Sequence, residues 1–142
     1  MDDSGYEIGF LLRRAHVRAS VAFKAALAPL GIEARHFAVL HELVHAPHSQ
    51  RRLADLIGSD KSAMVRLIDD LERAGLVNRQ VSAQDRRAQV ITLTDKGTTT
   101  VRAAQESAAD VVTSLTDHMS PADRRHLTDL LREFIAAQPG SD

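Results

Sequence analysis

Leu53 to Gly97 reads LADLIGSDKSAMVRLIDDLERAGLVNRQVSAQDRRAQVITLTDKG, and the order of its local signals decides the fold. Gly58 ends a short helical pattern, QRRLADLI, that Ser49 is placed to cap. Ser59 or Asp60 then caps a second helix over Lys61 to Ala74, whose apolar stripe is Met64, Leu67, Ile68 and Leu71. Gly75 closes it. Two runs rich in β-branched residues follow, Leu76 to Val81 and Gln89 to Leu93, and the turn-forming residues between them predict a hairpin. At its tip sits a charged knot, Asp85-Arg86-Arg87.

Two short helices joined by a tight turn, the second running directly into a hairpin, is the order of a winged helix-turn-helix. In that geometry the second helix enters the major groove of duplex DNA and reads base edges with its N-terminal residues. Turning the apolar stripe inward at about 100° per residue places Ser59, Ser62, Arg66, Asp69 and Arg73 outward, with Ala63 and Val65 on the flanks. Small and hydroxyl side chains come first, which suits close approach to bases and phosphates. Lys61, with Arg51 or Arg52 at the start of the preceding helix, is placed to hold phosphates. The hairpin loop of such a fold reaches the neighbouring minor groove, whose narrow A·T-rich form attracts arginine. Asp85, two residues before Arg87, is expected to aim that guanidinium by a charge-assisted hydrogen bond. The candidate DNA-contacting set is therefore Arg51, Arg52, Ser59, Lys61, Ser62, Ala63, Arg66, Asp85, Arg86 and Arg87.

Outward from this segment the pattern changes to long amphipathic helices. Ile8, Leu11, Leu12, Ala15, Ala19, Ala22, Phe23, Ala26 and Leu27 form one stripe that stops at Pro29 and Gly31. A helix from about Glu33 to His45 follows, with Phe37, Leu40, Leu43 and Val44 inward, closed by Pro47. After the hairpin, Thr94 caps a helix carrying Val101, Ala104, Ala108, Val111, Val112, Leu115 and Met119. Ser120-Pro121 opens a last helix through Leu127, Leu130, Leu131, Phe134 and Ile135, and the tail PGSD is expected to fray. Apolar stripes from both ends of the chain are best buried against each other or against a second copy, so a homodimer is expected. The fold class expected is mainly α with a small β-hairpin wing. Residues 1–30 and 95–142 form a helical dimerisation region, and 31–94 form the winged helix-turn-helix, in one intertwined domain.

Composition narrows the function. The 142-residue chain is 44% hydrophobic, enough for a core. It has no cysteine, which removes thiol nucleophiles, thiolate zinc sites and disulfides. Aromatics are 4%, too few for a single-strand stacking platform. No apolar run approaches the roughly 20 residues of a membrane span, and the start MDDSGYE lacks the pattern of a signal peptide. A cytoplasmic, nucleoid-associated protein without membrane contact is expected. The net charge of −1 hides a local excess. Residues 50–87 hold eight basic and six acidic side chains, whereas residues 88–142 hold five and eight.

The quoted segment resembles the signature region of the MarR family of bacterial transcription regulators. A recognition helix ends in LERAGLV, and a wing of the form D-x-R leads to a strand ending LT-x-x-G. The resemblance extends to the element order of nearly the whole chain. It implies a triangular homodimer whose interface is made by the first, fifth and sixth helices, with two winged helices gripping a pseudo-palindrome. It implies that Arg87 enters the minor groove and that Asp85 orients it. It further implies a regulator, most often a repressor, relieved by a small phenolic or carboxylate effector bound between the dimer helices and the DNA-binding lobe. Members that sense peroxides use a reactive cysteine and those that bind urate use a tryptophan; this chain has neither residue.

Other features compete with that reading. Seven histidines is a high count, and His36, His41, His45 and His48 crowd the second helix and its exit. His41 and His45 share a face at the minimal spacing for two metal ligands, with His16 or His118 as further candidates. Ordinary surface histidines fit better, since no partner set completes a site locally, and no cofactor is expected. HELVH at 41–45 is also a literal H-E-x-x-H string, the signature of zinc proteases. The pattern is short, and the chain is too small for a protease sheet and cleft beside a winged helix, so an enzyme is not expected. A winged helix that binds protein instead of DNA is the remaining alternative. Arg13, Arg14 and Arg18 form either a solvated face, intersubunit pairs with the acidic final helices, or an anchor for an effector carboxylate.

Overall fold

The computed structural model describes residues 4–137; the tail PGSD lies outside them. Each helix begins and ends where local chemistry dictates. α1 (Ser4–Leu27) runs into a single 3-10 turn, Ala28–Leu30, and Gly31 reverses the chain at φ +69°. α2 (Ala34–His45) is entered through Glu33, whose backbone N–H donates to His36 Nδ1 at 3.1 Å. α3 (Gln50–Ile57) starts where the Ser49 hydroxyl accepts from the Arg52 N–H and stops at the left-handed Gly58. α4 (Lys61–Arg73) is capped by Asp60 rather than Ser59, its carboxylate accepting from the Ala63 N–H at 2.8 Å. β1 (Val77–Val81) and β2 (Gln89–Leu93) pair antiparallel, in register from Val77 opposite Leu93 to Val81 opposite Gln89. α5 (Asp95–Leu115) is capped by Thr94, and α6 (Pro121–Ala136) by Ser120 with proline in its first turn.

The hairpin gains a third pairing that the sequence does not announce. His48 and Ile91 exchange both backbone hydrogen bonds, at 3.3 and 2.7 Å, which ties the α2–α3 connection to β2. Ile91 is thereby fully buried.

The core lies under the winged helix. Val39, Leu40 and Leu43 from α2, Leu53 from α3, the whole α4 stripe, Leu76, Val77 and Ile91 form one buried cluster, joined by Val101 and Ala104 of α5. The inward face of α2 differs from the expected one: Val39 is buried and Val44 is exposed. The flanking helices behave differently again. Of the α1 stripe only Leu27 is buried, while Ile8, Leu11 and Leu12 are exposed. α6 buries nothing within the chain, and Phe134 and Ile135 are 60% and 79% exposed. These stripes have no cover of their own.

Besides the core packing, a hydrogen-bonded joint ties the winged helix to α5. The Thr94 hydroxyl donates to the Gly75 carbonyl at 2.6 Å and its N–H to Leu76 O at 3.1 Å; Lys96 Nζ donates to Ala74 O at 2.9 Å. Thr94 Oγ1 also accepts from the Gly97 N–H. The end of α4 and the start of α5 are thus one hydrogen-bonded unit. Gly97 is pressed so closely onto Leu76 that a β-carbon there would lie 1.9 Å from its carbonyl oxygen. That contact explains why glycine ends the LT-x-x-G pattern. Gly97→Ala is expected to cost about 3 kcal/mol, the upper end for overpacking, in denaturant unfolding at fixed protein concentration. A cost under about 0.5 kcal/mol, the size of a neutral surface change, would show that the two segments are not locked together.

Candidate nucleic-acid interface

The N-terminal turn of α4 is capped by an aspartate and displays hydroxyl and cationic side chains. Asp60 spends its carboxylate on the Ala63 N–H, and Ser59 Oγ donates to the Asp60 carbonyl at 3.2 Å. Lys61, Ser62 and Arg66 are left exposed, with Ser59 and Ala63 half-buried beside them. A cleft of about 400 Å³ between α3 and α4 brings Arg51, Ser59 and Lys61 to one rim. Arg52 is also exposed on the first turn of α3.

The wing is organised by its own backbone. Ser82 N–H donates to Ala88 O at 2.8 Å and Ala88 N–H to Asp85 O at 3.0 Å, while the Ser82 hydroxyl accepts from the N–H groups of Gln84 and Asp85. Asp85 Oδ1 accepts from the backbone N–H of Arg87 at 3.0 Å, not from its guanidinium. This corrects the expected role of Asp85. The carboxylate shapes the turn that presents Arg86 and Arg87, and both side chains remain exposed. An aspartate two residues upstream reaches an N–H more readily than the end of a long side chain, the geometry of an Asx-turn.

Few of the cations are ion-paired. Among the described residues, Arg35, Arg73, Arg79 and Arg132 have carboxylate partners, whereas Arg51, Arg52, Lys61, Arg66, Arg86 and Arg87 have none. These last six, all exposed, occupy the first turn of α3, the first half of α4 and the wing tip. Arg13, Arg14 and Arg18 on α1 are likewise exposed and make no ion pair with the described residues.

Asp69 does not project freely as its helical phase suggests. It is half-covered and bonds Arg79 of β1. Arg79 donates to Asp69 at 2.5 Å, to Glu72 at 2.9 Å and to Gln50 Oε1 of α3 at 3.2 Å. Partial burial lowers the Arg79 pKa, but the hydrogen bonds and charges of Asp69 and Glu72 outweigh it and leave the group more basic than an ordinary arginine. Strand alternation holds the clue to this cluster. Arg79 is two residues from buried Val77, on the covered side of β1, and a charge there needs a partner.

His36 Nε2 lies 3.7 Å from an Asp70 carboxylate oxygen on α4, and the His48 backbone is tied to β2. His41 Nδ1 and Gln105 Nε2 of α5 are 3.4 Å apart, and the His41 ring meets His45 edge-on at 5.8 Å. Among the described residues no group of three or more His, Cys, Asp or Glu side chains could hold a metal ion, so His16 and His118 do not complete a site with them. No described helix is long and apolar enough to cross a membrane.

A two-stranded wing following a helix-turn-helix, flanked by long helices, defines the winged-helix class of transcription regulators. A sequence model of the MarR family matches residues 30–88. A MarR-family transcriptional regulator from Rhodococcus sp. RHA1 superposes with a TM-score of 0.86 at 27% identity, covering 94% of this chain and 96% of that one. The transcriptional repressor CouR, bound to a 23-mer DNA duplex, superposes with a TM-score of 0.85 at 30% identity over 95% and 96% of the two chains. CouR from Rhodococcus jostii RHA1 bound to p-coumaroyl-CoA gives 0.84 at 28% identity over 94% and 95%. The chain belongs to the MarR family of transcription regulators.

The Asp85 contact makes a sharp prediction. Asp85→Asn keeps an oxygen for the Arg87 N–H and should preserve that amide's protection from hydrogen exchange. Asp85→Ala should abolish the protection while changing global stability by less than about 0.5 kcal/mol. Equal loss in both variants would restore a role for the carboxylate charge.

Proposed function

We propose that the protein is a homodimeric, effector-responsive transcription regulator, acting as a repressor, that binds pseudo-palindromic duplex DNA. α4 lies in the major groove, with Ser59, Ser62, Ala63 and Arg66 at bases or nearby phosphates. Lys61, Arg51 and Arg52 hold the backbone, and Arg86 and Arg87 of the wing reach the minor groove, shaped by Asp85. The observation that carries this reading is the gathering of six exposed cations, Arg51, Arg52, Lys61, Arg66, Arg86 and Arg87, on three elements of the winged helix, in a chain of net charge −1. Exposed cations clustered on one face suit a polyanionic partner. The likeness to CouR in its DNA-bound form supports the same docking.

Residues 1–30 and 95–142 form the dimerisation region in this reading, and 31–94 the DNA-binding region. The exposed apolar stripes of α1 and α6 supply the self-complementary surface that a two-fold dimer needs. The effector is a small molecule that shifts the dimer between DNA-competent and incompetent spacings of α4. CouR, seen with p-coumaroyl-CoA, sets a precedent for such a ligand. An opening of about 570 Å³ where the end of α1 meets the start of α2, lined in part by Ser20, Lys24, Ile32 and Arg35, has room for one.

Selection from a randomised duplex library should enrich a pseudo-palindrome, and fluorescence anisotropy on the enriched duplex should show binding that weakens steeply with salt. Arg87→Ala should weaken that binding about tenfold; unchanged affinity would remove the wing from the interface. No enrichment would favour a winged helix that binds protein. Sedimentation at micromolar concentration should show a dimer, and a monomer would overturn the proposed architecture.

A further inference from the structure

Arg79 is the least expected polar feature of the winged helix. Its guanidinium sits where three DNA-facing elements converge: it leaves β1 at the root of the wing, crosses to Asp69 and Glu72 on α4, and reaches Gln50 at the head of α3. Only 21% of its side chain is exposed, against the fully displayed Arg86 and Arg87. We propose that Arg79 is a positioning residue for DNA recognition, one that holds α3, α4 and the wing in a single register and cancels the carboxylates of Asp69 and Glu72 facing the nucleic acid. This inference rests on the DNA-binding reading above.

Two physical requirements lead to it. The three elements must meet a groove, its flanking phosphates and the next groove together, so any slack between them is lost as conformational entropy on binding. A planar guanidinium with several donors can satisfy acceptors on two helices at once, which a lysine ammonium on a flexible stem does far less well. The second requirement is electrostatic. α4 carries Asp69, Asp70 and Glu72 in its second half, close to a surface that must approach a polyanion. Asp70 lies 3.4 Å from the Arg73 guanidinium, and Arg79 takes the other two. Losing Arg79 would leave two carboxylates facing phosphates as well as a loosened wing.

The test is a double-mutant cycle on the library-selected duplex, read by anisotropy across a salt series and repeated with a scrambled duplex. Arg79→Gln should weaken specific binding at least tenfold and lower the specific-to-scrambled ratio, with Arg79→Lys between it and wild type. In an Asp69→Asn/Glu72→Gln background, where the network is neutral but can still hydrogen-bond, the same Arg79→Gln change should cost less than threefold. The salt slope should stay that of the parent in each comparison. An equal loss in both backgrounds, with a slope reduced by about one, would mark Arg79 as a direct phosphate contact and overturn the proposal. So would the absence of any loss. If Arg79→Gln alone fails to fold by circular dichroism, the triple variant against its Asp69→Asn/Glu72→Gln parent carries the test, and a tenfold difference there refutes the role. Wild-type protein that selects no duplex overturns the DNA-binding reading itself, whereas wild type that binds beside an uncoupled cycle overturns only the role of Arg79.

Discussion

Where the Leu76 carbonyl meets Gly97, with Thr94 bonded to Gly75 and Leu76 and Lys96 to Ala74, the end of α4 and the beginning of α5 are held in direct contact. This contact works together with the packing of Leu27, Val101 and Ala104 into the core under the winged helix. The hairpin leaves and returns within this joint, so the wing hangs from a closed loop rather than from a free strand. The direct hydrogen bonds and the Gly97 contact couple a rotation of α5 to α4, although the hairpin separates them along the chain. In the proposed mechanism, where the distance between two recognition helices changes, such a joint would pass a shift among the long helices on to α4.

Much of the architecture was legible from chemistry within a few residues. Ser49, Gly58, Asp60, Gly75, Thr94, Ser120 and Pro121 each act through their immediate neighbours, and they mark the helix ends where the structure has them. The α4 stripe was equally clear, since Met64, Leu67, Ile68 and Leu71 recur with the helical period and all are buried. The features that escaped depend on pairings across space. His48 joins Ile91 over more than forty residues of chain, and nothing in either neighbourhood predicts it. Arg79 reaches Gln50, and helical phase alone turned Asp69 outward because phase knows nothing of an arginine arriving from a strand.

The wing shows the same limit at shorter range. D-x-R was readable as a motif, and the nearness of Asp85 to Arg87 suggested a bond between side chains. The carboxylate instead reaches the nearer backbone N–H, which leaves the guanidinium unanchored. The division of labour differs from the expected one: the loop's shape is fixed in advance, while its charged ends keep their rotamer freedom until something orders them. On α2 the error ran the other way. Val44 is exposed and Val39 buried, a rotation of the inward face that brings His41 alongside Gln105 of α5.

The uneven charge along the chain also bears on how the molecule meets its partner. Residues 50–87, which hold α3, α4 and the wing, carry eight basic against six acidic side chains, while residues 88–142 carry five against eight. With a net charge of −1, such a body is hardly pulled toward a distant polyanion, but it has a dipole. Near DNA it experiences a torque more than a force: the acidic helices are pushed away and the wing is swung forward. Orientation is corrected during the encounter, and collisions that begin with the wrong face are not held long enough to compete.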